Sequence, residues 1–329
     1  MLTGVAFVAL AQLGLNVALD TVRPNWRDAE YGHRVRRLAK LRRADPPGRP
    51  LLVVLGSSRA EMGLSPSHLN LGDGVRAFNL SQSGAGPTWQ ALNFDRLVAA
   101  GLTPDFLLIE VIPALLARDD PADVSIPAST LALADLARLA PECADFPAYR
   151  RQWLLDRLNP WHSHRRLLLD HWAGETFVPA GDRRNFQWTE LRPDGWAPFY
   201  KADMPAAERA ARTAVAEREY RPLLNDYRAA PRPDRVYRRL IATAQEKGVT
   251  VGLLLMPESP TFRGWYPPGA WAKSRRRVWE LAGDCPVIDA GEWVNADADF
   301  ADGHHLLGHA AERFSRRLGD DWVRGWVAK

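Results

Sequence analysis

The chain has 329 residues, of which 46% are hydrophobic and 25% charged, and its formal net charge is +4. These values are typical of a globular protein with one enlarged domain or two small ones. The arginines are scattered and do not form a basic face with interleaved aromatic residues, which argues against nucleic-acid binding. The two cysteines, Cys143 and Cys285, form no metal-binding pattern, although they could pair in an oxidising compartment.

Residues 1–22 are predicted to be a membrane anchor or signal segment. Residues 1–19 carry no charge, and their only strongly polar side chains are Gln12 and Asn16. This length is about that needed to cross a bilayer. Residues 23–49 then form a basic, partly helical connector that ends at Asp45-Pro46-Pro47-Gly48.

The side of the membrane is left open by two conflicting signals. An uncleaved signal anchor would place the rest of the chain outside the cytoplasm, whereas the basic stretch after the segment favours the inside. A signal peptide normally starts with a basic region, which this segment lacks. A buried helix of the domain is a third interpretation. We expect a membrane-anchored or exported protein with an extracytoplasmic domain.

Short apolar runs predict a central sheet within residues 50–329. The predicted strands are 51–55, 75–80, 106–109, 249–256 and 287–289. Helices are predicted at 88–100, 235–246, 271–282 and 306–318. Continuous apolar strands are typical of parallel sheets that are buried on both faces. The alternation of strand and helix therefore predicts an α/β fold with a parallel sheet and right-handed crossovers.

A long stretch at about residues 115–234 interrupts this alternation. Helices are predicted at 131–139, 149–158 and 206–220, and an irregular loop at 173–198. We interpret the stretch as a mostly helical insertion packed over the functional edge of the sheet. Connections of this length are usually lids or binding elements.

Candidate reactive residues follow the carboxyl ends of the predicted strands, where parallel sheets bind ligands. Ser58 follows the first strand, residues 81–86 follow the second, and Asp302 and His305 follow the last. A serine hydroxyl needs an adjacent base to become a nucleophile. His305 would accept its proton, and Asp302 would orient the imidazole. The pattern therefore predicts a hydrolytic or acyl-transferring triad.

Two alternatives apply to this triad. Ser57 competes with Ser58 as the nucleophile, and as a turn residue it would only shape the loop. His304, His305 and His309 could indicate a metal, but no second cluster supplies further ligands. We therefore expect no metal or other cofactor, with His304 pointing away and His309 lying on the following helix.

Three charged residues on the same rim are candidate substrate-binding groups, namely Arg59, Glu258 and Arg263. Arg59 could bind an anionic group of the substrate or pair with Glu61 or Glu110. Glu258 could contact the substrate or pair with Arg263.

Three sequence blocks resemble the SGNH (GDSL-like) hydrolase superfamily. Leu55-Gly56-Ser57-Ser58-Arg59 resembles the first block, with Ser57 in place of the usual aspartate. Asn79-Leu80-Ser81-Gln82-Ser83-Gly84 resembles the second, and Asp302-Gly303-His304-His305-Leu306 the last. The resemblance implies a flavodoxin-like, three-layer α/β/α fold. It also implies that Ser58 is the nucleophile, His305 the base and Asp302 its orienter, with the amides of Ser58 and Gly84 in the oxyanion hole.

The third block departs from the family pattern. The segment Leu108-Ile109-Glu110-Val111-Ile112-Pro113-Ala114 lacks the asparagine that normally donates to the oxyanion. Loss of one such donor costs on the order of 3 kcal/mol of transition-state stabilisation. In this respect the chain is similar to membrane-anchored proteins of cell-envelope acyl transfer, such as the D-alanyl-lipoteichoic-acid and alginate acetylation proteins.

The resemblance implies a serine esterase or O-acyltransferase. Its substrate would be an acyl ester, with an envelope glycan as the carrier and an envelope acyltransferase as a partner. The missing asparagine supports an alternative of a different class, a non-catalytic envelope protein that retains the fold for binding or scaffolding. The retained Ser58, Asp302 and His305 argue against that alternative.

Overall fold

The computed structural model describes residues 2–177, 191–225 and 227–328. The chain forms two compact units. Unit 1 consists of Met1–Arg36 and Asp120–Thr189, and unit 2 of Arg37–Asp119 and Glu190–Lys329. The last part of the stretch interpreted as an insertion, from residue 190 to 234, therefore belongs to the unit that holds the sheet.

Unit 2 is built on a parallel five-stranded sheet with the order β2-β1-β3-β4-β5. The strands are β1 (Leu51–Leu55), β2 (Arg76–Asn79), β3 (Phe106–Glu110), β4 (Thr250–Leu255) and β5 (Val287–Asp289). Every residue of β1 is buried, as expected for a strand covered on both faces. The predicted α/β class and parallel sheet are confirmed.

Helices form a large part of both units. In chain order they are α1 (Leu2–Val17), α2 (Ala29–Ala44), α3 (Ser58–Gly63), α4 (Pro87–Ala99), α5 (Ala122–Ser125), α6 (Leu133–Leu139), α7 (Phe146–Leu158), α8 (Pro160–Phe177), α9 (Ala206–Asn225), α10 (Pro231–Glu246), α11 (Pro260–Arg263), α12 (Ala270–Ala282), α13 (Gly308–Leu318) and α14 (Arg324–Val327).

Helices cover both faces of the sheet, which gives three layers. Helices α3, α13 and α14 share one core with alternate strand residues, which includes Ala60, Phe314 and Trp326 of the helices and Val54 and Leu254 of the strands. Helix α10 contacts β4 and also packs against α4 and α12. The strand residues between those of the first core face the second layer, since successive side chains of a strand point to opposite faces.

The predicted irregular loop at 173–198 is only partly irregular. Its first residues, 173–177, continue α8, and residues 191–198 contain turns and extended chain. Residues 178–190 lie outside the described residues. Both cysteines are thiols: Cys143 Sγ lies 3.4 Å from the carbonyl oxygen of Leu139, and Cys285 Sγ lies 3.4 Å from Gln245 Nε2.

The N-terminal segment of unit 1 is helical and apolar. Helix α1 continues into a π-helical turn, Ala18–Val22. The span Thr3–Val22 has a mean hydropathy of 1.7, and only 6% of it is buried. Its length and composition suffice to cross a membrane, and a signal sequence has the same properties. The low burial argues against a core helix.

Candidate active site

Ser58 is presented by a tight strand–turn–helix at the carboxyl end of β1. It is the first residue of α3, and the preceding Ser57 caps that helix by accepting the amide hydrogen of Arg59 at 3.1 Å. A Cβ on Gly56 would lie 2.5 Å from Glu110 Oε2 and 2.7 Å from Ala60 Cβ. Only glycine fits at this close approach, so the turn needs glycine at position 56.

A continuous hydrogen-bond chain joins Ser58, His305 and Asp302. Ser58 Oγ lies 2.7 Å from His305 Nε2, and His305 Nδ1 lies 2.7 Å from Asp302 Oδ2. An ionised carboxylate can only accept, so Nδ1 carries the proton and Nε2 accepts from the serine hydroxyl. Ser58 and His305 are both partly exposed, so a substrate could reach them. The structure therefore brings together the three residues that the sequence selects.

The loop that carries Asp302 and His305 is closed by its own backbone. Ala301 donates its amide hydrogen to the carbonyl oxygen of His305 at 2.8 Å, and Phe300 forms an antiparallel bridge with Leu306. Gly303 has a φ of +93°, a conformation that side chains other than that of glycine rarely adopt. The tight loop places the Asp302 carboxylate and the His305 imidazole on the same side of its backbone.

The Asp302 carboxylate is stabilised in its charged form. Burial alone would raise its pKa, but the neighbouring His305 and His304 and the hydrogen bonds of His305 lower the pKa well below its ordinary value. The His305 amide also donates to Asp302 Oδ1 at 3.0 Å. Asp302 therefore remains ionised and can hold one tautomer of the imidazole.

The loop after β2 is fixed to α3 by Asn79. Its side-chain amide donates to the carbonyl oxygens of Ala60 and Leu64 at 2.8 and 2.7 Å, and its Oδ1 accepts from the amide of Ser81 at 2.9 Å. Gly84 follows in this loop, exposed and with a φ of +74°. The second block thus lies beside the helix of Ser58, and the oxyanion role of Gly84 stays a prediction.

Arg59 forms a buried ion pair with Glu258. Arg59 Nη1 lies 2.9 Å from Glu258 Oε1, and each side chain is only 2% exposed. The guanidinium also lies over the rings of Phe262 and Tyr220, with 4.9 and 5.4 Å to their centroids. Burial alone would lower the pKa of Arg59, but the attraction of Glu258 raises it, so Arg59 stays charged.

The charged residues of this rim have other hydrogen-bond partners than the ion pairs that the sequence left open. Glu61 accepts from Ser83 Oγ at 2.5 Å, and Glu110 accepts from Ser57. Arg263 contacts the backbone carbonyl of Glu258, and its Nη2 donates to Asn295 Oδ1 at 2.9 Å. The actual partner of Arg59 lies 199 residues away in the chain, which local sequence could not reveal.

His304 does not point away from the site. Its ring packs against His305, with 4.1 Å between centroids, and against Tyr220 of α9, with 4.9 Å. His304 Nδ1 lies 3.3 Å from Asp302 Oδ1. Burial lowers the pKa of His304 well below its ordinary value, and the nearby His305 lowers it further. The stretch interpreted as an insertion thus contributes Tyr220 to the surroundings of the site.

Asp302, His304 and His305 also offer potential metal-ligand atoms within 4.8 Å of one another. The hydrogen-bond chain to Ser58 already uses Asp302 Oδ2 and both ring nitrogens of His305. His309, the remaining member of the sequence cluster, lies 3.1 Å from Asp299 Oδ1. The observed contacts therefore suit a proton relay better than metal ligation.

Glu110 is a site residue that the sequence reasoning considered only as a partner of Arg59. It ends β3 in the block that lacks the family asparagine, and it is fully buried. Its Oε2 accepts the amide and hydroxyl hydrogens of Ser57 at 2.6 and 2.9 Å. Burial raises the pKa of Glu110, which Arg59 and the hydrogen bonds from Ser57 oppose. The signal available in the sequence was a carboxylate at the end of an apolar strand.

Residues 15–128 match the model of a family described as a protein of unknown function, DUF1574. The matched region contains β1, β2 and β3, and with them Ser58 and Gly84, and it ends before Asp302. No curated protein matches the chain.

Proposed function

We propose that this chain is an SGNH-type serine esterase or O-acyltransferase. The observation that carries the proposal is the chain of 2.7 Å contacts from Ser58 through His305 to Asp302. Nucleophile and base lie within hydrogen-bond distance, and a third group orients the base, which is the arrangement that nucleophilic catalysis by serine requires.

In the proposed reaction, Ser58 Oγ attacks the carbonyl carbon of an acyl ester while His305 Nε2 takes the hydroxyl proton. The tetrahedral intermediate collapses, the carbon–oxygen bond to the alcohol breaks, and His305 returns the proton to the leaving oxygen. Water or a sugar hydroxyl then attacks the acyl–Ser58 ester, with His305 again as the base. The products are a free acid or a new ester, and the Ser58 hydroxyl is restored.

Backbone amides are the proposed oxyanion donors. Ser58 lies in the first turn of α3, where amide hydrogens have no helical carbonyl to bind. Gly84 would supply the second donor from the neighbouring loop. Glu110 stands in the block of the family asparagine, but its Oε2 is engaged as an acceptor by the amide and hydroxyl of Ser57. The site would thus stabilise the oxyanion with fewer donors, a loss on the order of 3 kcal/mol.

The proposed setting is the cell envelope. The apolar helix at Thr3–Val22 supports a membrane-anchored or exported protein. We place its domain outside the cytoplasm as part of the same proposal. The resemblance to membrane-anchored acyl-transfer proteins favours an acyl ester of an envelope glycan as the substrate and an envelope acyltransferase as a partner.

A fluorophosphonate probe tests the proposal, because it forms a covalent bond only with an activated serine. We expect the full-length protein in detergent to be labelled, and Ser58→Ala to abolish labelling. Ser67→Ala, the same change at an exposed serine of unit 2, serves as the control and should label like the wild type. A wild-type protein that resists labelling would favour the non-catalytic binding or scaffold protein.

The choice between hydrolysis and transfer needs a second measurement. With p-nitrophenyl acetate as the donor, free acetate reports water as the acceptor, and an O-acetylated oligosaccharide reports transfer. Ser58→Ala should abolish both products if a single acyl–serine intermediate feeds them.

A further inference from the structure

The corner between α7 and α8 in unit 1 exposes a contiguous apolar face. Its residues are Leu154, Leu155, Leu158 and Trp161, with exposed fractions of 47, 53, 73 and 38%. Leu154, Leu155 and Leu158 lie on one face of α7, and Trp161 follows at the start of α8. Soluble proteins rarely leave such a continuous patch in water, so this face is built to contact something apolar. We refer to these four residues as the apolar corner.

The apolar corner adjoins the candidate membrane span. The backbone amide of Trp161 donates to Gln12 Oε1 of α1 at 3.1 Å, and α1 packs against both α7 and α8. Helix α1 itself leaves Phe7, Leu10 and Leu13 exposed. The apolar surface of the span therefore continues onto the corner.

A polar network lies at the end of α1 and in the π-helical turn that follows it, where the first charged residue of the chain occurs. Arg27 donates to Asp20 Oδ1 and to Asn16 Oδ1 at 2.9 and 2.6 Å, and Arg157 also contacts Asp20. Gln12, which touches the corner, precedes Asn16 by four residues and Asp20 by eight. At 1.5 Å per residue, the corner lies about 6 to 12 Å beyond this polar network.

A charged side chain next to the apolar corner points towards the polar network, whereas the apolar ones remain exposed. Arg157 directs its guanidinium to Asp20, in the polar network, while its neighbour Leu158 is exposed. Long charged side chains behave in this way at the edge of a bilayer. Residues 146–172 contain five arginines and two aspartates, which suits anionic head groups.

We propose that the apolar corner inserts into a lipid bilayer beside α1. This inference rests on the membrane anchoring proposed above. Apolar faces of interfacial helices lie about 5–10 Å deep, at the boundary between head groups and acyl chains, which is comparable with the depth of the corner beyond the polar network. Tryptophan is enriched at that boundary, which is where Trp161 would lie.

Fluorescent probes at single cysteines test the inference in the full chain. The background is Cys143→Ser with Cys285→Ser, reconstituted into vesicles of phosphatidylcholine and phosphatidylglycerol and labelled with an environment-sensitive dye. Leu158→Cys reports the corner, Leu10→Cys reports the anchor, and Gln152→Cys, an exposed polar position on α7, is the matched control. Thermal unfolding of each variant verifies that it has folded.

We expect the dye at positions 10 and 158 to emit as in an apolar medium and to lose most of its fluorescence to doxyl-labelled lipids. At position 158 a doxyl group near the head groups should quench more than one at the bilayer centre, and position 152 should respond only to aqueous iodide.

Three other outcomes are possible, and each of them would contradict the inference for a different reason. An aqueous probe at position 10 would reject the anchor and the inference with it. A quenched probe at position 10 with an aqueous probe at 158 would overturn the inference alone. Apolar emission at 158 without quenching by lipids would identify a protein partner or a second copy, and would overturn it too.

Discussion

The two units differ in how many large apolar side chains they expose, since most of the exposed ones belong to unit 1. Unit 2 buries Arg59, Glu110 and Glu258 around the Ser58 turn, whereas unit 1 leaves Leu158 and Trp172 in the open. Buried charges are costly and persist where geometry must be fixed. Exposed large apolar groups persist where the surroundings are not water. The difference fits the two proposals made above, a reaction at the Ser58 turn of unit 2 and an apolar contact of unit 1.

The largest effect should come from Asp302→Asn, which removes the charge that orients His305. For the proposed reaction we expect kcat to fall about 10,000-fold while the fold is retained, because the imidazole would adopt the wrong tautomer. Initial rates with p-nitrophenyl acetate measure the change. His309→Gln, a histidine bonded to Asp299 outside the hydrogen-bond chain, should leave kcat unchanged. Equal rates for Asp302→Asn and wild type would rule out the triad.

Removal of Glu258 should produce the largest loss of stability. Glu258→Ala leaves the Arg59 charge buried and unpaired, so the free energy of unfolding should fall by about 3–5 kcal/mol. The double variant Arg59→Met/Glu258→Leu should recover most of this loss. Denaturant unfolding measures both. Glu217→Ala, which breaks an exposed pair with Arg221, is the control and should cost at most about 1 kcal/mol.

Acid should weaken unit 2 through Asp302. Because its pKa in the folded protein lies below the unfolded value of about 3.9, ionised Asp302 stabilises the fold fully above that value. This contribution disappears as the pH falls through the lower, folded pKa. The difference in unfolding free energy between wild type and Asp302→Asn should therefore shrink as the pH is lowered below about 4. A difference that stayed constant with pH would contradict the depressed pKa.

Ser57→Ala should have a moderate effect. The change removes the cap of α3 and one hydrogen bond to Glu110, so we expect a loss of about 1–2 kcal/mol in thermal unfolding. Ser58→Ala, the same change one residue later, removes no cap and should cost less. Fluorophosphonate labelling should survive Ser57→Ala, and labelling that disappears there but persists in Ser58→Ala would exchange the roles of the two serines.

The smallest effect is expected on the exposed side of unit 1. Leu158→Asn in detergent should change the unfolding free energy by no more than about 0.5 kcal/mol, because the side chain packs on little protein. Leu168→Ala, at a position only 1% exposed on α8, should cost about 2–5 kcal/mol. Comparable losses at the two positions would show that Leu158 supports the fold.

The sheet could be predicted because each strand is a short apolar run bounded by turns. The ranges 51–55 and 287–289 agree with the structure at both ends, and the other strands differ by one residue at one or both ends. The convergence of Ser58 with His305 followed from one rule, that parallel strands share a carboxyl edge. This rule needs only the order of the strands along the chain and their parallel direction, and both could be inferred from the sequence.

The contacts behind that edge could not be predicted in the same way. Whether Arg59 pairs with Glu61, Glu110 or Glu258 depends on which carboxylate the packed helices bring to it. His304 shares the surroundings of His305 because Tyr220 and Phe262 enclose it from other parts of the chain. Contacts between residues so far apart in the chain are fixed by tertiary packing, which the local spacing of residues does not predict.

The distance between the two ends of the hydrogen-bond chain has a consequence for biosynthesis. Ser58 and His305 are 247 residues apart, and the helix after His305 packs on the helix of Ser58. A growing polypeptide folds from its N-terminus while the ribosome still holds the remainder. The serine would therefore remain an ordinary alcohol until the last tenth of the chain emerged and docked. A nascent or prematurely terminated chain would therefore not react with the esters around it.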